Sequence, residues 1–402
     1  MTPGVGAQSV RPGAIGDGVL QCAPMRAPPP VLLVLCALTA CSDREAPVGG
    51  ASPLRLDAAA TVPALVEAGA EPPMPAPYRA RGDAAVATNA GCVGCHADQA
   101  AEWRGSLHAR AASDGAYRRA LAKEPSPFCR GCHAPEADPE DASLTPAALA
   151  GVACVTCHVT EEGSVLAAPP LAGAGPAPHP LRRSAAFAGA GACQGCHEFA
   201  FPGAGGDGDA QLMQTTVREH ARSEGGGQAC ADCHMPRREG RRSHSFAEVR
   251  DAGWLRARLR ARPEVVPGAL RVTLEQPEPG HAFPTGDLFR RLEVRAELRD
   301  RSGRVLDGET RWLGRQLLLV PGHAARQLVG DDRVFDEPRT VDLPLQGATA
   351  GATVAFAVTY QRVATTGTGH DPSAAEIESQ VLLHDGVLPW PSMPGAAPRQ
   401  AP

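Results

Sequence analysis

The sequence is poor in aromatic side chains, which make up only 4% of its 402 residues. Large apolar side chains usually fill the core of a domain, so this shortage indicates that a bound group supplies part of the buried apolar surface. The formal net charge of -5 lacks the positive excess of a nucleic-acid binder or of a polybasic membrane clamp. Long regular elements are also disfavoured, because the chain contains 44 glycines and 39 prolines.

No cysteine after residue 41 is left over for a structural disulfide or a nucleophile. All of them belong to one five-residue word, Cys-x-x-Cys-His, which occurs five times. Its residues are Cys92, Cys95 and His96; Cys129, Cys132 and His133; Cys154, Cys157 and His158; Cys193, Cys196 and His197; and Cys230, Cys233 and His234.

The histidine that ends each word decides its chemistry. A bare Cys-x-x-Cys is typical of a zinc half-site, a thioredoxin-like redox pair or a local disulfide, and none of these requires histidine next. Only 13 of the 402 residues are histidine, so a histidine directly after each of the five Cys-x-x-Cys pairs is not a chance occurrence. In c-type haem attachment the two thiols bind the porphyrin and the histidine binds its iron. The words therefore predict five covalent haem c groups and a largely unfolded apoprotein, with a structural zinc protein as the alternative.

The N-terminal part predicts export. Translation is expected to begin at Met25, and residues 1–40 are predicted to be an upstream extension and a lipoprotein signal peptide, whose apolar run at 31–38 is too short to cross a bilayer. Leu38-Thr39-Ala40-Cys41 resembles the bacterial lipobox, which implies a lipid on Cys41, and Ser42 favours the outer membrane. Ordinary cleavage with release to the periplasm is the alternative.

Two segments lack apolar periodicity. Residues 41–85 are rich in alanine, proline and glycine, and they predict a flexible tether that lets an anchored carrier move between partners, or an inert spacer. Residues 391–402 predict a disordered tail.

Several further motifs occur in order along the chain. They are Trp103-x-x-Ser106-x-His108, Gly151-Val152-Ala153-Cys154-Val155-Thr156-Cys157-His158, Cys233-His234-Met235-Pro236 and Gly280-His281-Ala282-Phe283-Pro284-Thr285-Gly286. Together they resemble the cytochrome c554-like multihaem family over most of residues 90–300. The resemblance implies tightly packed haems, mostly with two imidazoles on each iron, that carry electrons in the periplasm.

Histidines outside the words are the candidates for the second iron ligand. Five of them match the five irons in number: His108, His179, His220, His244 and His281. His323, His370 and His384 are predicted to be surface residues.

One of the five, His220, also has a competing interpretation. Its segment from Glu219 to Ser223 lines up with Glu102 to Ser106, which places His220 in register with Trp103 and Gly225 in register with His108. His220 would then pack as a tryptophan does. The second ligand position of the fifth iron would be filled by Met213 or would stay open.

This choice separates a carrier from an enzyme. An iron with two protein ligands only passes electrons, whereas an open position admits a small molecule. No Cys-x-x-Cys-Lys word occurs, and the three tyrosines offer no clear cross-linking position. The sequence predicts an electron relay between redox partner proteins on the periplasmic side of the cell envelope, with reduction of a nitrogen oxide at one open haem as the alternative. Whether the chain is an enzyme stays open.

The basic run Arg237, Arg238, Arg241 and Arg242 predicts either a solvated loop or guanidiniums that pair with haem propionates or an acidic partner. A short helix is predicted next, over 247–262.

The predicted fold class is α + β with two domains. Residues 86–264 form a haem-packed, mostly helical and loop-rich pentahaem domain. Residues 265–390 form an antiparallel β-sandwich, because apolar residues alternate at Leu270, Val272 and Leu274 and again along 292–299. Further strands are predicted at 312–320, 340–345 and 352–362. His281 precedes the second strand, so the sandwich is predicted to supply one iron ligand.

Overall fold

The computed structural model describes residues 71–170, 177–202, 211–246, 251–323, 325–365 and 371–391. The predicted signal peptide, Cys41, most of the tether, His370 and nearly all of the tail lie outside these ranges. None of the helices within them combines the length and the apolarity that a bilayer crossing requires.

The first part of the described chain consists of short helices joined by loops. In chain order the helices are α1 Gly82–Cys95, α2 Ala97–Gly105, α3 Gly115–Lys123, α4 Pro127–His133, α5 Pro146–Leu149, α6 Cys154–His158, α7 Ala185–Ala188, α8 Gly191–His197, α9 Thr216–Arg222, α10 Cys230–His234 and α11 Ala252–Ala257. Six short strands pair as β1–β2, β3–β4 and β5–β6: β1 Leu166–Ala167, β2 Arg182–Arg183, β3 Glu198–Ala200, β4 Leu212–Thr215, β5 Arg237–Arg238 and β6 Arg241–Arg242.

Each Cys-x-x-Cys-His word lies at the end of one of these helices. Helix α1 ends at Cys95 and is followed by His96, while α4, α6, α8 and α10 end on the histidine itself. Residues three and four apart share one face of a helix. Both thiols and the imidazole of a word therefore lie on the same side.

The helical part has little apolar core of its own. One buried cluster consists only of alanines, namely Ala112, Ala134, Ala137, Ala147 and Ala148. A second joins Ala85 and Ala153 to Val155 and Val159. Such small side chains bury little apolar area, so side chains alone stabilise this part weakly.

The second part is built from strands. They are β7 Arg260–Val266, β8 Ala269–Glu275, β9 Arg290–Arg299, β10 Val305–Leu318, β11 Gln327–Asp331, β12 Arg339–Pro344, β13 Thr353–Val363 and β14 Ile377–Pro389. One antiparallel sheet has the order β11-β10-β9-β13-β14, and the other has the order β12-β8-β7.

The two sheets share one apolar core. Leu270, Val272 and Leu274 of β8 pack in the same buried cluster as Leu292 and Val294 of β9. Alternate residues of a strand point to opposite faces, which is why the period-two pattern marks the buried side. The predicted fold class, a helical and loop-rich region followed by antiparallel sheets, is confirmed.

Several local predictions were wrong. Of the helix predicted over 247–262, the described residues from 251 onward form only Ala252–Ala257, and strand β7 begins at Arg260. Strands β11 and β14 were not predicted.

A buried ion pair connects the two parts. The Arg333 guanidinium, which follows β11, donates to the Glu219 carboxylate on α9 at 2.8 Å. Thr285 donates to the same carboxylate at 2.6 Å, and Thr215 also donates to it. The charge of Arg333 and these bonds hold the pKa of Glu219 below its ordinary value although burial raises it, so the carboxylate is ionised and paired.

Candidate functional site

Four of the five attachment histidines face a second histidine from a distant part of the chain. The ring centroids are 6.2 Å apart for His96 and His179, 6.2 Å for His197 and His108, 6.3 Å for His158 and His244, and 6.2 Å for His234 and His281. The structure thus brings four of the five candidate distal histidines to four different words.

This spacing leaves room for one metal ion between the rings. A metal–imidazole bond of about 2.0–2.1 Å on each side of the ion separates the two ring centres by roughly 6.3 Å. Rings in direct stacking contact lie much closer, as Tyr117 and His133 do at 4.0 Å. The residues therefore fit haem iron, which the two imidazoles of each pair would hold.

Backbone carbonyls orient several of these imidazoles. The Nδ1 atoms of His158, His244 and His281 lie 3.0–3.1 Å from the carbonyl oxygens of Leu166, Arg242 and Ala282. A proton on Nδ1 that is shared with a carbonyl leaves Nε2 as the ligand atom. The chain therefore favours the tautomer that would bind iron through Nε2.

Burial favours the neutral form of several of these imidazoles. Burial, together with the charges of His197, His234 and His133, lowers the pKa of His108 to about 3. Burial also lowers the pKa of His197 to about 4, with the charges of Arg290 and His133 as further causes, and the pKa of His234 to about 4. Neutral imidazole is the form that coordinates a metal.

His133, of the second word, has different surroundings. Its ring stacks on Tyr117 with centroids 4.0 Å apart and planes inclined by 6°, and its Nδ1 lies 3.0 Å from the Ala111 carbonyl. Within the described ranges, no histidine faces His133 in the way that the four pairs face each other. The ring stack with Tyr117 was not foreseen.

His220 has carbonyl partners on both ring nitrogens. Its Nδ1 lies 2.6 Å from the Gly280 oxygen and its Nε2 lies 2.8 Å from the Gln228 oxygen. A carbonyl only accepts, so both nitrogens carry protons and neither can bind a metal in this arrangement. The geometry does not support the prediction of His220 as a distal ligand. Trp103, the residue in register with His220, also donates to a backbone carbonyl: its Nε1 bonds to the Val152 oxygen at 2.8 Å.

The remaining candidates have unremarkable positions. Met213 lies on β4, where its carbonyl accepts from Arg315 at 2.8 Å, and its role as a ligand stays a prediction. His323 is exposed. His384 is half-buried, with its Nε2 2.7 Å from the Leu259 carbonyl.

The words meet through their thiols. The pKa of Cys132 is raised by the neighbouring Cys196, and the pKa of Cys193 is raised by the neighbouring Cys230. Burial and the charge of Cys92 in the first word together raise the pKa of Cys154 to about 11. Because thiols of different words lie this close, the edges of groups attached to them would be adjacent.

The basic run forms the hairpin β5–β6. Arg241 is paired with Glu102 at 2.9 Å, and Arg242 is paired with Asp232. Arg237 and Arg238 are exposed. Two of the four guanidiniums therefore already have carboxylate partners from the chain.

Three aromatic residues around the histidines were missed by sequence reasoning. Phe246 lies edge-on to His108 at 4.3 Å, Phe187 lies 5.2 Å from His158, and Trp254 lies 5.9 Å from His234. The position of Phe246, two residues after His244, was the only signal that could have found one of them.

Comparisons with known proteins give one family and one solved structure. Residues 91–159 match the family model described as cytochrome c554 and c-prime. No curated protein matches the chain. The structure resembles that of a penta-heme cytochrome c552 from Thermochromatium tepidum at 22% sequence identity and a TM-score of 0.55, over 74% of this chain and 97% of that chain. That likeness shows a shared fold.

Proposed function

We propose that this chain, a multihaem c-type cytochrome with a cytochrome c554 and c-prime domain over residues 91–159, holds five haems and relays electrons between redox partner proteins. Bound haem c supplies reversible one-electron chemistry at its iron. The five words would attach the haems through their ten cysteines, and their histidines would each supply one iron ligand.

The observation that carries this proposal is the common spacing of the four histidine pairs. Two imidazoles leave no position for a substrate, so His96 with His179, and the three equivalent pairs, favour relay over catalysis. The contacts between thiols of different words support close packing of the haems. His220 is left out of the proposed ligand set.

The location of the relay is proposed from sequence alone. Lipid on Cys41 would anchor the chain on the periplasmic side of the envelope, at the outer membrane, and residues 41–85 would let it reach its partners. Metabolic labelling with a radioactive fatty acid tests this anchor: Cys41→Ala should abolish the label and release the haem protein from membranes. Label that persists in the variant would contradict it.

The surroundings of His133 favour a second candidate function. Among the residues that the structure describes, no histidine faces His133, and an iron with an open position beside His133 would admit a small molecule such as a nitrogen oxide. The chain would then reduce this molecule with electrons gathered by the four paired sites.

Protein-film voltammetry separates the two functions. A relay predicts reversible waves that integrate to five electrons per chain and do not change when nitrite or hydroxylamine is added. A catalytic current with either compound would contradict pure relay and support the second candidate. Fewer than five electrons in a fully matured sample would contradict the pentahaem assignment.

A further inference from the structure

Arg290, the first residue of β9, is a largely buried cation without a hydrogen-bonded carboxylate. Its side chain is 18% exposed. Its Nη1 donates to the Tyr360 hydroxyl at 3.0 Å, whereas its Nε is buried without a hydrogen-bond partner and lies 3.6 Å from the Asp287 carboxylate. A guanidinium in such surroundings is costly to bury unless an anionic oxygen pairs with it.

The chain is shaped to hold this guanidinium in place. Gly286 has a φ of +113°, and a Cβ added there would come within 2.6 Å of the Arg290 Nε. Any other residue at 286 would therefore displace the side chain. Tyr360 contributes a hydroxyl that accepts from Arg290 and can still donate its own proton to a second acceptor.

The position of Arg290 relates it to the haem words. Hydrogen bonds connect its loop to the fourth word. The Gln214 Nε2 lies 3.3 Å from the His197 Nδ1 and 3.2 Å from the Thr216 hydroxyl. The Thr216 hydroxyl lies 3.0 Å from the Thr285 hydroxyl.

On the other side, Arg290 pairs with Arg362 in the sheet, and Arg362 forms an ion pair with Glu378. Glu378 also accepts from Arg119 on helix α3, which carries the Tyr117 that stacks on His133 of the second word. These two words meet through the thiols of Cys132 and Cys196. Arg290 thus stands where the groups attached to both words would come together.

We propose that Arg290 and Tyr360 form an anion site which the sandwich presents to the haems of the second and fourth words. The anion that fits best is a propionate carboxylate of one of these haems, because a carboxylate accepts from a guanidinium and a hydroxyl together. This inference rests on the proposed function. A small oxyanion from solution, bound beside the haem of His133, has the same chemistry and is the second possible source.

The site would set the reduction potential of the neighbouring haem. A fixed positive charge stabilises the reduced iron relative to the oxidised iron, which carries one more positive charge. The sandwich would therefore tune the relay through Arg290, in addition to providing the ligand His281.

The test is a redox titration, followed spectroscopically, of the purified, fully matured protein and its variants. Arg290→Gln should lower the potential of one or two of the five haems. Their reduced-to-oxidised ratio at a given potential should fall roughly three- to tenfold, where tenfold corresponds to about 59 mV for one electron. Arg290→Lys should keep most of the wild-type potential, and Tyr360→Phe should give a smaller decrease than Arg290→Gln. The matched control is Arg271→Gln, an exposed arginine of the same sandwich, which should change none of the potentials.

Titration of the oxidised protein with nitrite identifies the source of the anion. An absorbance change that requires Arg290 would support the site with a solution anion as its ligand. Potentials that shift in Arg290→Gln without any response to nitrite would support the propionate.

Unchanged potentials in Arg290→Gln together with no Arg290-dependent nitrite response would overturn the proposal. If Arg290→Gln does not mature, unchanged potentials in Tyr360→Phe would overturn it as well. Haem content is measured in every sample. A wild-type protein with fewer than five haems would contradict the proposed function and not the anion site.

Discussion

His234 and His281 face each other with ring centroids 6.2 Å apart and ring planes inclined by only 16°. His234 ends helix α10, whereas His281 lies on the loop between strands β8 and β9 and is oriented by the Ala282 carbonyl. A residue from the strand-rich part thus stands opposite the last attachment word. This relationship couples the sandwich to the proposed haem chemistry.

Replacing His281 by alanine should convert one of the five haems from low spin to high spin, because its iron loses the second imidazole. Magnetic circular dichroism of the oxidised protein measures the change, and the other four haems should keep their signals. His323→Ala, the same substitution at an exposed histidine, should leave the spectrum unchanged. A low-spin spectrum in His281→Ala would argue against this ligand.

His220→Gln should keep all haems in their wild-type spin states but lower the free energy of unfolding by about 1–2 kcal/mol, because a single amide nitrogen cannot reproduce the hydrogen bonds that the two ring nitrogens make to separate carbonyls. Burial lowers the pKa of His220, but the carbonyls of Gln228 and Gly280 outweigh burial and leave the pKa raised. A histidine whose pKa is raised by folding stabilises the folded state at a pH below its pKa in the unfolded chain. This stabilisation is lost as the pH rises through its pKa in the folded state.

The stability difference between wild type and His220→Gln should therefore be larger at about pH 5 than at about pH 9. Chemical denaturation at both pH values measures it. A new high-spin signal in this variant would instead identify His220 as an iron ligand.

Arg333→Met should destabilise the protein by about 3–5 kcal/mol, because it leaves the Glu219 carboxylate buried without its cation. The side chains of Arg333 and Glu219 are only 5% and 7% exposed. Arg271→Met breaks the Arg271–Asp342 pair, whose side chains are 42% and 49% exposed, and should cost less than about 1 kcal/mol. Urea unfolding followed by far-ultraviolet circular dichroism compares the two. Equal effects would show that the Arg333 pair does not stabilise the contact between the two parts.

Haem removal should affect the two parts differently. Protein produced without haem attachment should be cleaved readily by proteases between residues 71 and 246, since its apolar clusters consist of small alanine and valine side chains. The strand-rich part should resist cleavage, because the buried core around Leu270 and Leu292 needs no haem. Limited proteolysis with mass spectrometry identifies the cut sites. Resistance over the whole chain would contradict the proposal that haems provide the missing core.

The sequence predicted the attachment words and the strong alternation of β8 and β9, because both are local patterns. It could not pair the distal histidines with words, since that choice depends on how distant loops meet. Strand β14 was not predicted, because it is an edge strand whose residues are mostly half-exposed or exposed and so lack a clear apolar pattern. The predicted helix was extended past its end at Ala257 because apolar residues continue at helical spacing beyond it. Strand β7, which follows, contains Pro263 and has no clear alternation to mark its start. Arg290 carried no signal in the sequence, because its significance lies in Gly286 and Tyr360 beside it.

The most direct test of the account is electron paramagnetic resonance of the oxidised, fully matured protein, with spins counted per chain. Four low-spin centres of the bis-imidazole type and one centre of a different type are predicted, from the four histidine pairs and from His133. Fewer than four bis-imidazole centres, or a sample that contains no haem iron, would contradict it.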